Sequence, residues 1–148
     1  MPEIHVRESI TINRKVSDIY KFWRNLANLP RFIDHLDTVE DLGNGNNRWS
    51  IKTLVGELSW ESEILEDKEN ESIRWRSVPG ARVINSGVLS LKPEGDATEA
   101  TVEIHYTPPR EHDSFMEDKV LEVIADMELK DDLRNLQRIM ESQNLGDF

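Results

Sequence analysis

The chain has 148 residues, 37% hydrophobic and 32% charged, with no cysteine and a net charge of −11. That length suits one domain with its own core, and the missing cysteines exclude disulfide and thiolate chemistry and fit a reducing cytoplasm. So negative a surface repels phosphate backbones, which argues against nucleic acid as a partner. No stretch reaches the ~20 apolar residues of a membrane span, and Met1-Pro2-Glu3-Ile4-His5 does not read as a secretory signal.

The first segment alternates: Ile4, Val6, Ile10 and Ile12 share one parity, and His5, Arg7, Ser9 and Thr11 the other. This predicts a half-buried strand. Ser17 is the expected N-cap of a short helix with Ile19, Phe22 and Trp23 on one face. Leu29-Pro30-Arg31-Phe32-Ile33 predicts a second short helical turn.

A β-rich stretch follows. Residues 36–42 form a weak strand closed by Gly43-Asn44-Gly45-Asn46-Asn47. Trp49, Ile51 and Thr53 alternate with polar residues, as do Leu58, Trp60, Ser62 and Ile64, then Ile73, Trp75 and Ser77. Two more strands are expected over 83–91 and 99–107, separated by Pro93-Glu94-Gly95-Asp96. Short turns between consecutive strands require antiparallel pairing. Gly56 and Gly87 stand where a wide sheet could bend.

Pro108-Pro109 should end the sheet, and Ser114-Phe115-Met116-Glu117 has the form of a capping box. From there to about residue 142 neither Gly nor Pro occurs, so a long helix is expected, its apolar stripe passing through Val120, Val123 and Met127. The fold expected is α+β. A curved seven-stranded antiparallel sheet wraps around the long C-terminal helix, with two short helices after the first strand, in a single domain over 1–148. A curled sheet gripping a helix ~10 Å wide leaves room between them.

Inward parity puts Trp49, Trp60, Trp75, Leu89 and Tyr106 toward that room. Trp23 and Phe32 come from the helical segment, and Val120, Val123 and Met127 from the long helix. Ser62 and Asn85 are the polar groups on the same side, with Ser77 and Thr53. These are the expected ligand-binding residues, since aromatic walls with few polar groups are what small-molecule sites look like.

No catalytic constellation is legible: there is no G-x-S-x-G and no H-E-x-x-H. His5 and His105 face away from the cavity and read as surface residues, with a cross-strand metal pair as the alternative. No cofactor and no resident metal is expected. Glu61, Glu63 and Glu103 fall on the solvent face, and Asp131-Asp132 reads as helix surface.

The order of these segments resembles the START/Bet v 1-like helix-grip superfamily, and within it the small bacterial polyketide cyclase/dehydrase-type proteins related to coenzyme Q-binding proteins. The residues that carry the likeness are Ile10-Thr11-Ile12, Val16-Ser17-Asp18-Ile19-Tyr20-Lys21-Phe22-Trp23, Leu29-Pro30-Arg31-Phe32, and Trp49 and Trp60 on successive strands. Further along they are Ile73-Arg74-Trp75-Arg76-Ser77, Gly87-Val88-Leu89-Ser90-Leu91 and Thr101-Val102-Glu103-Ile104-His105-Tyr106 before the double proline. The closing helix, Leu129-Lys130-Asp131-Asp132-Leu133-Arg134-Asn135-Leu136, completes it.

The resemblance implies an internal pocket for a lipid, polyketide, quinone or similar apolar molecule. Binding or transport without catalysis is the first reading. A cyclase or dehydratase is the second, with Tyr106 and His35 as the ionisable groups it would use. A regulatory or chaperone-like module that meets a basic protein through the acidic surface is the third.

Overall fold

The computed structural model describes residues 4–34, 36–53, 56–81, 84–107 and 115–142, with the side chains of 52, 53, 115–122 and 124 excepted. Seven strands make one antiparallel sheet in the order β1-β7-β6-β5-β4-β3-β2. They are β1 (Ile4–Ile12), β2 (Leu36–Gly43), β3 (Asn46–Thr53), β4 (Gly56–Lys68), β5 (Ser72–Ser77), β6 (Ile84–Glu94) and β7 (Ala97–Thr107). From β2 onward each strand pairs with the next along the chain, whereas β1 pairs with the last. A helix α1 (Val16–Arg24) and a 3-10 turn (Leu26–Arg31) carry the chain from one edge strand to the other. The long helix α2 (Phe115–Ser142) packs along β1.

The hairpins follow from their turn residues. Asn44 and Gly45 both have positive φ, 55° and 82°, between the paired Gly43 and Asn46. That is the two-residue turn whose twist matches antiparallel strands, and Asn-Gly is its preferred sequence. Asp67 and Lys68 still belong to β4, and the turn into β5 centres on Asn70 with φ 63°.

Curvature comes from irregular pairing. Register shifts lie between Leu36 and Thr38, between Asp41 and Gly43, and between Ile64 and Glu66. An extra residue on one strand bends and twists the sheet locally. Gly87 serves a different end from the bend expected of it. Directly opposite Trp75, it leaves space for the indole, and a Cβ there would lie 2.3 Å from Trp75 Cζ2.

α1 begins at Val16 with Lys15 in the capping position and no side-chain cap. Ser17 therefore sits inside the first turn rather than capping it, beside Asp18, whose charge suits the helix N-terminus. Tyr20 donates to Asp67 Oδ1 at 2.5 Å and Arg24 Nε to Asp67 Oδ2 at 2.6 Å, tying α1 to the end of β4.

The core is continuous from Ile4, Ile12 and Val102 on the sheet through Phe22 and Phe32 to Leu129, Leu133, Leu136 and Met140 on α2. Those helix positions advance by four, three and four residues, one face of a helix. Val123 and Met127, each 59% exposed, lie off that face. At 100° per residue Met127 is turned about 200° from Leu129, so the apolar stripe expected through it does not meet the sheet. No helix is long and apolar enough to cross a membrane among the described residues.

A tryptophan-walled cavity with an acidic helix face

A cavity of about 350 Å³ lies between the sheet and α2. Strand alternation builds one wall. Trp49 and Trp60 stand directly opposite each other on β3 and β4, their rings stacked 6.1 Å apart. Trp75 continues the row, 6.3 Å from Trp49 and 6.5 Å from Trp23. Trp23 in turn packs 5.2 Å from Phe32. Val6, Ile104 and Tyr106 close the side toward β1 and β7.

Two indoles are pinned by polar neighbours. Trp49 Nε1 donates to Ser62 Oγ at 2.6 Å, and Trp75 Nε1 to Asn85 Oδ1 at 3.2 Å. The Asn85 backbone N–H donates to Ser77 Oγ at 3.1 Å. A buried N–H left unpaired would cost ~1–3 kcal/mol, so these inward serines and asparagine hold ring orientation.

α2 supplies the opposite wall with Ala125, Glu128, Leu129, Asp132 and Leu133. Two of these five are acids. Asp132 is buried at 8% exposure, while Glu128 stands at the exposed rim. Desolvation by burial pushes the Asp132 carboxyl up to about 7, with Asp34, Glu128 and Asp131 adding repulsion and a backbone hydrogen bond from Asp34 opposing. Burial also raises the Tyr106 hydroxyl, helped by Glu128. None of the described lining residues is Lys, Arg or His.

Among the residues expected to bind ligand, Trp23, Phe32, Trp49, Trp60, Trp75, Asn85 and Tyr106 all line the cavity. Ser62 lies behind Trp49, and Leu89 is fully buried in the core, so neither reaches the surface of the cavity. Val123 and Met127 point away from it. The Val120 and Thr53 side chains, His35, Ser114 and Pro108-Pro109 lie outside the described residues.

Sequence reasoning missed Asp132, taken as helix surface with Asp131. Asp132 is three residues after Leu129 and four before Leu136, on the face that packing buries, whereas Asp131 is exposed; its spacing singles it out only once that face is known.

Residues 12–136 match the family described as "Polyketide cyclase / dehydrase and lipid transport". A Deinococcus radiodurans protein of known crystal structure is 33% identical, with 93% of this chain and 97% of that one covered and a TM-score of 0.75. The Zhui aromatase/cyclase from Streptomyces sp. R1128 is 15% identical at TM-score 0.75, covering 95% of this chain and 94% of its own. A START superfamily protein from Mycobacterium smegmatis is 13% identical at TM-score 0.77, over 93% and 97%. The last two likenesses bear on the fold, which they share from end to end. With the family match spanning most of its length, the chain belongs to the polyketide cyclase/dehydrase and lipid transport family, and its fold is that of a START superfamily protein.

Proposed function

We propose that this protein binds and carries an apolar, ring-bearing small molecule, neutral or cationic, in the cavity between sheet and α2. The observation that carries this reading is the joining of a four-tryptophan wall to the acidic face of α2 around Asp132. The volume falls within the ~300–1,000 Å³ of small-molecule sites. Flat indole faces favour flat ligands and attract cations, and the acidic side chains Asp132 and Glu128 on the helix wall disfavour carboxylates and phosphates.

Tryptophan fluorescence titrated with matched naphthalene probes tests it. 2-Naphthalenemethanol and 2-naphthylmethylamine should quench, and 2-naphthoate should bind at least about tenfold more weakly, a difference of ~1.4 kcal/mol. Binding by none of the three would sink the pocket reading. Equal binding by all would sink the charge preference.

A second reading, a cyclase or dehydratase, is favoured by one feature: the Asp132 carboxyl, pushed to about 7, lines the same cavity as the Tyr106 hydroxyl. A group poised near neutrality can both give and take a proton. Loss of turnover of a poly-β-ketone thioester in Asp132→Asn, with probe binding kept, would select this reading over carriage alone.

A further inference from the structure

The outer face of the sheet, away from the cavity, carries a second cluster. β1 and β7 run antiparallel with His5 directly opposite His105 and Arg7 opposite Glu103. Glu103 is two residues from His105 on the same strand, so all three side chains emerge on one face. The imidazoles stack with centroids 4.0 Å apart and planes 12° from parallel. His5 Nε2 lies 3.1 Å from Glu103 Oε2, and His105 Nε2 lies 3.8 Å from Glu103 Oε1.

We propose that His5, His105 and Glu103 form a binding site for one divalent transition-metal cation of the zinc and nickel class. One ligand atom from each lies within 4.8 Å of the other two. Bonds of ~2.0–2.2 Å in tetrahedral array set donor-to-donor distances of about 3.4 Å. The cluster brackets that value, so the donors need move little. They must, however, leave the stack: nearly parallel rings aim their lone pairs side by side rather than at one point. The His5, His105 and Glu103 side chains are 49%, 36% and 33% exposed, which leaves the rings room to turn and leaves the remaining coordination position to water.

The donor set decides the metal. Two imidazoles and one carboxylate favour zinc, nickel or copper, whereas calcium and magnesium demand oxygen donors. The competing cation is Arg7, whose Nε lies 4.0 Å from Glu103 Oε2 on a side chain 63% exposed. So loose a contact is weakly held and easily displaced.

The site also has a place in the fold. Ile4, Val6, Ile104 and Tyr106 alternate with the three ligands on the same two strands, and Val6, Ile104 and Tyr106 line the cavity. A cation on the outer face would staple the edge strand β1 to its neighbour β7, the two strands whose inner residues close that side of the pocket.

Isothermal titration of the full chain, tag-free and stripped with chelator, tests the proposal with zinc chloride, nickel chloride and magnesium chloride. One equivalent of zinc or nickel should bind, and magnesium should not. His5→Gln and His105→Gln should each weaken zinc by at least about tenfold. Replacing both remaining histidines, His35→Gln with His112→Gln, should leave it unchanged. Arg7→Gln should hold or tighten binding. Imidazole NMR signals of His5 and His105 should shift as the stack opens. Circular dichroism in chelator checks that each variant is folded; the His5, Arg7 and His105 side chains are 49%, 63% and 36% exposed, so the fold should persist when they are replaced. Unchanged zinc affinity in the His5→Gln/His105→Gln variant, or no zinc binding by the parent, overturns the site.

Discussion

Trp75 reaches the cavity only because the residue facing it across β5 and β6 is Gly87, over which the indole lies. Strand parity alone put Trp49, Trp60 and Trp75 on the inner face, since a period of two is unambiguous once the strands are known. It could not tell which inward residues reach the cavity surface: Leu89 and Ser62 share the parity and are covered. Asp132 marks the opposite failure, an acid on an apolar face, which charge alone reads as surface. Its ionisation makes a pH prediction. In the unfolded chain the carboxyl titrates near 3.8, and in the fold near 7. Below the lower value both states hold the proton and no penalty exists. As pH rises through 4 toward 7 the unfolded chain ionises first, so stability falls, and the loss is complete above the folded value. Asp132→Asn should therefore match the parent near pH 4 and exceed it at pH 8 by on the order of 2–4 kcal/mol. Urea unfolding at both pH values measures this. An equal effect at the two pH values would assign the gain to packing instead.

At the scale of elements, every strand was legible, because short alternating runs separated by Gly, Asn and Asp admit little else. The face of α2 was not. Its sequence offers apolar residues nearly all round, and only contact with β1 selects Leu129, Leu133, Leu136 and Met140 over Val123 and Met127. Polar contacts at the C-terminal end help to fix that choice. Arg14, just after β1, donates from Nη1 to the Met140 carbonyl and from Nε to Asp18 at 3.1 Å. Gln137 donates to the Thr11 carbonyl at 2.9 Å, and Asn135 to the Phe32 carbonyl at 3.0 Å. The Arg14 and Asp18 side chains are 12% and 13% exposed, so cutting their pair strands a buried carboxylate. Arg14→Ala should cost about 3 kcal/mol in urea unfolding and speed hydrogen exchange in the last turns of α2. Arg14→Lys should recover little, since one ammonium cannot match a planar fork serving two partners. Full recovery with Lys would mean that charge alone matters there.

For the molecule as a whole, the pairing of β1 with β7 is what turns a meander into a grip: the first and last strands meet, and α2 packs along β1. The antiparallel pairing of consecutive strands from β2 to β7 was inferable from connection lengths, and the need to curl from sheet width, but the place of β1 beside β7 and the positions of the bends were not. They fall at register shifts, which depend on paired residues far apart in the chain. A sheet so bent over a single helix keeps an interior space that its own side chains do not fill, and that space lowers stability through the contacts its lining lacks. Ala125 stands on the helix wall of the cavity with the smallest side chain there. Ala125→Leu should fill part of the space, raising stability by ~0.5–2 kcal/mol and the thermal midpoint by roughly 2–6 °C. The same substitution should weaken 2-naphthylmethylamine by about tenfold or more, because the added side chain takes the ligand's volume. Thermal unfolding and fluorescence titration of one preparation give both numbers. A stability gain with undiminished probe affinity would mean that the probe binds elsewhere, and the cavity would then be only a packing defect.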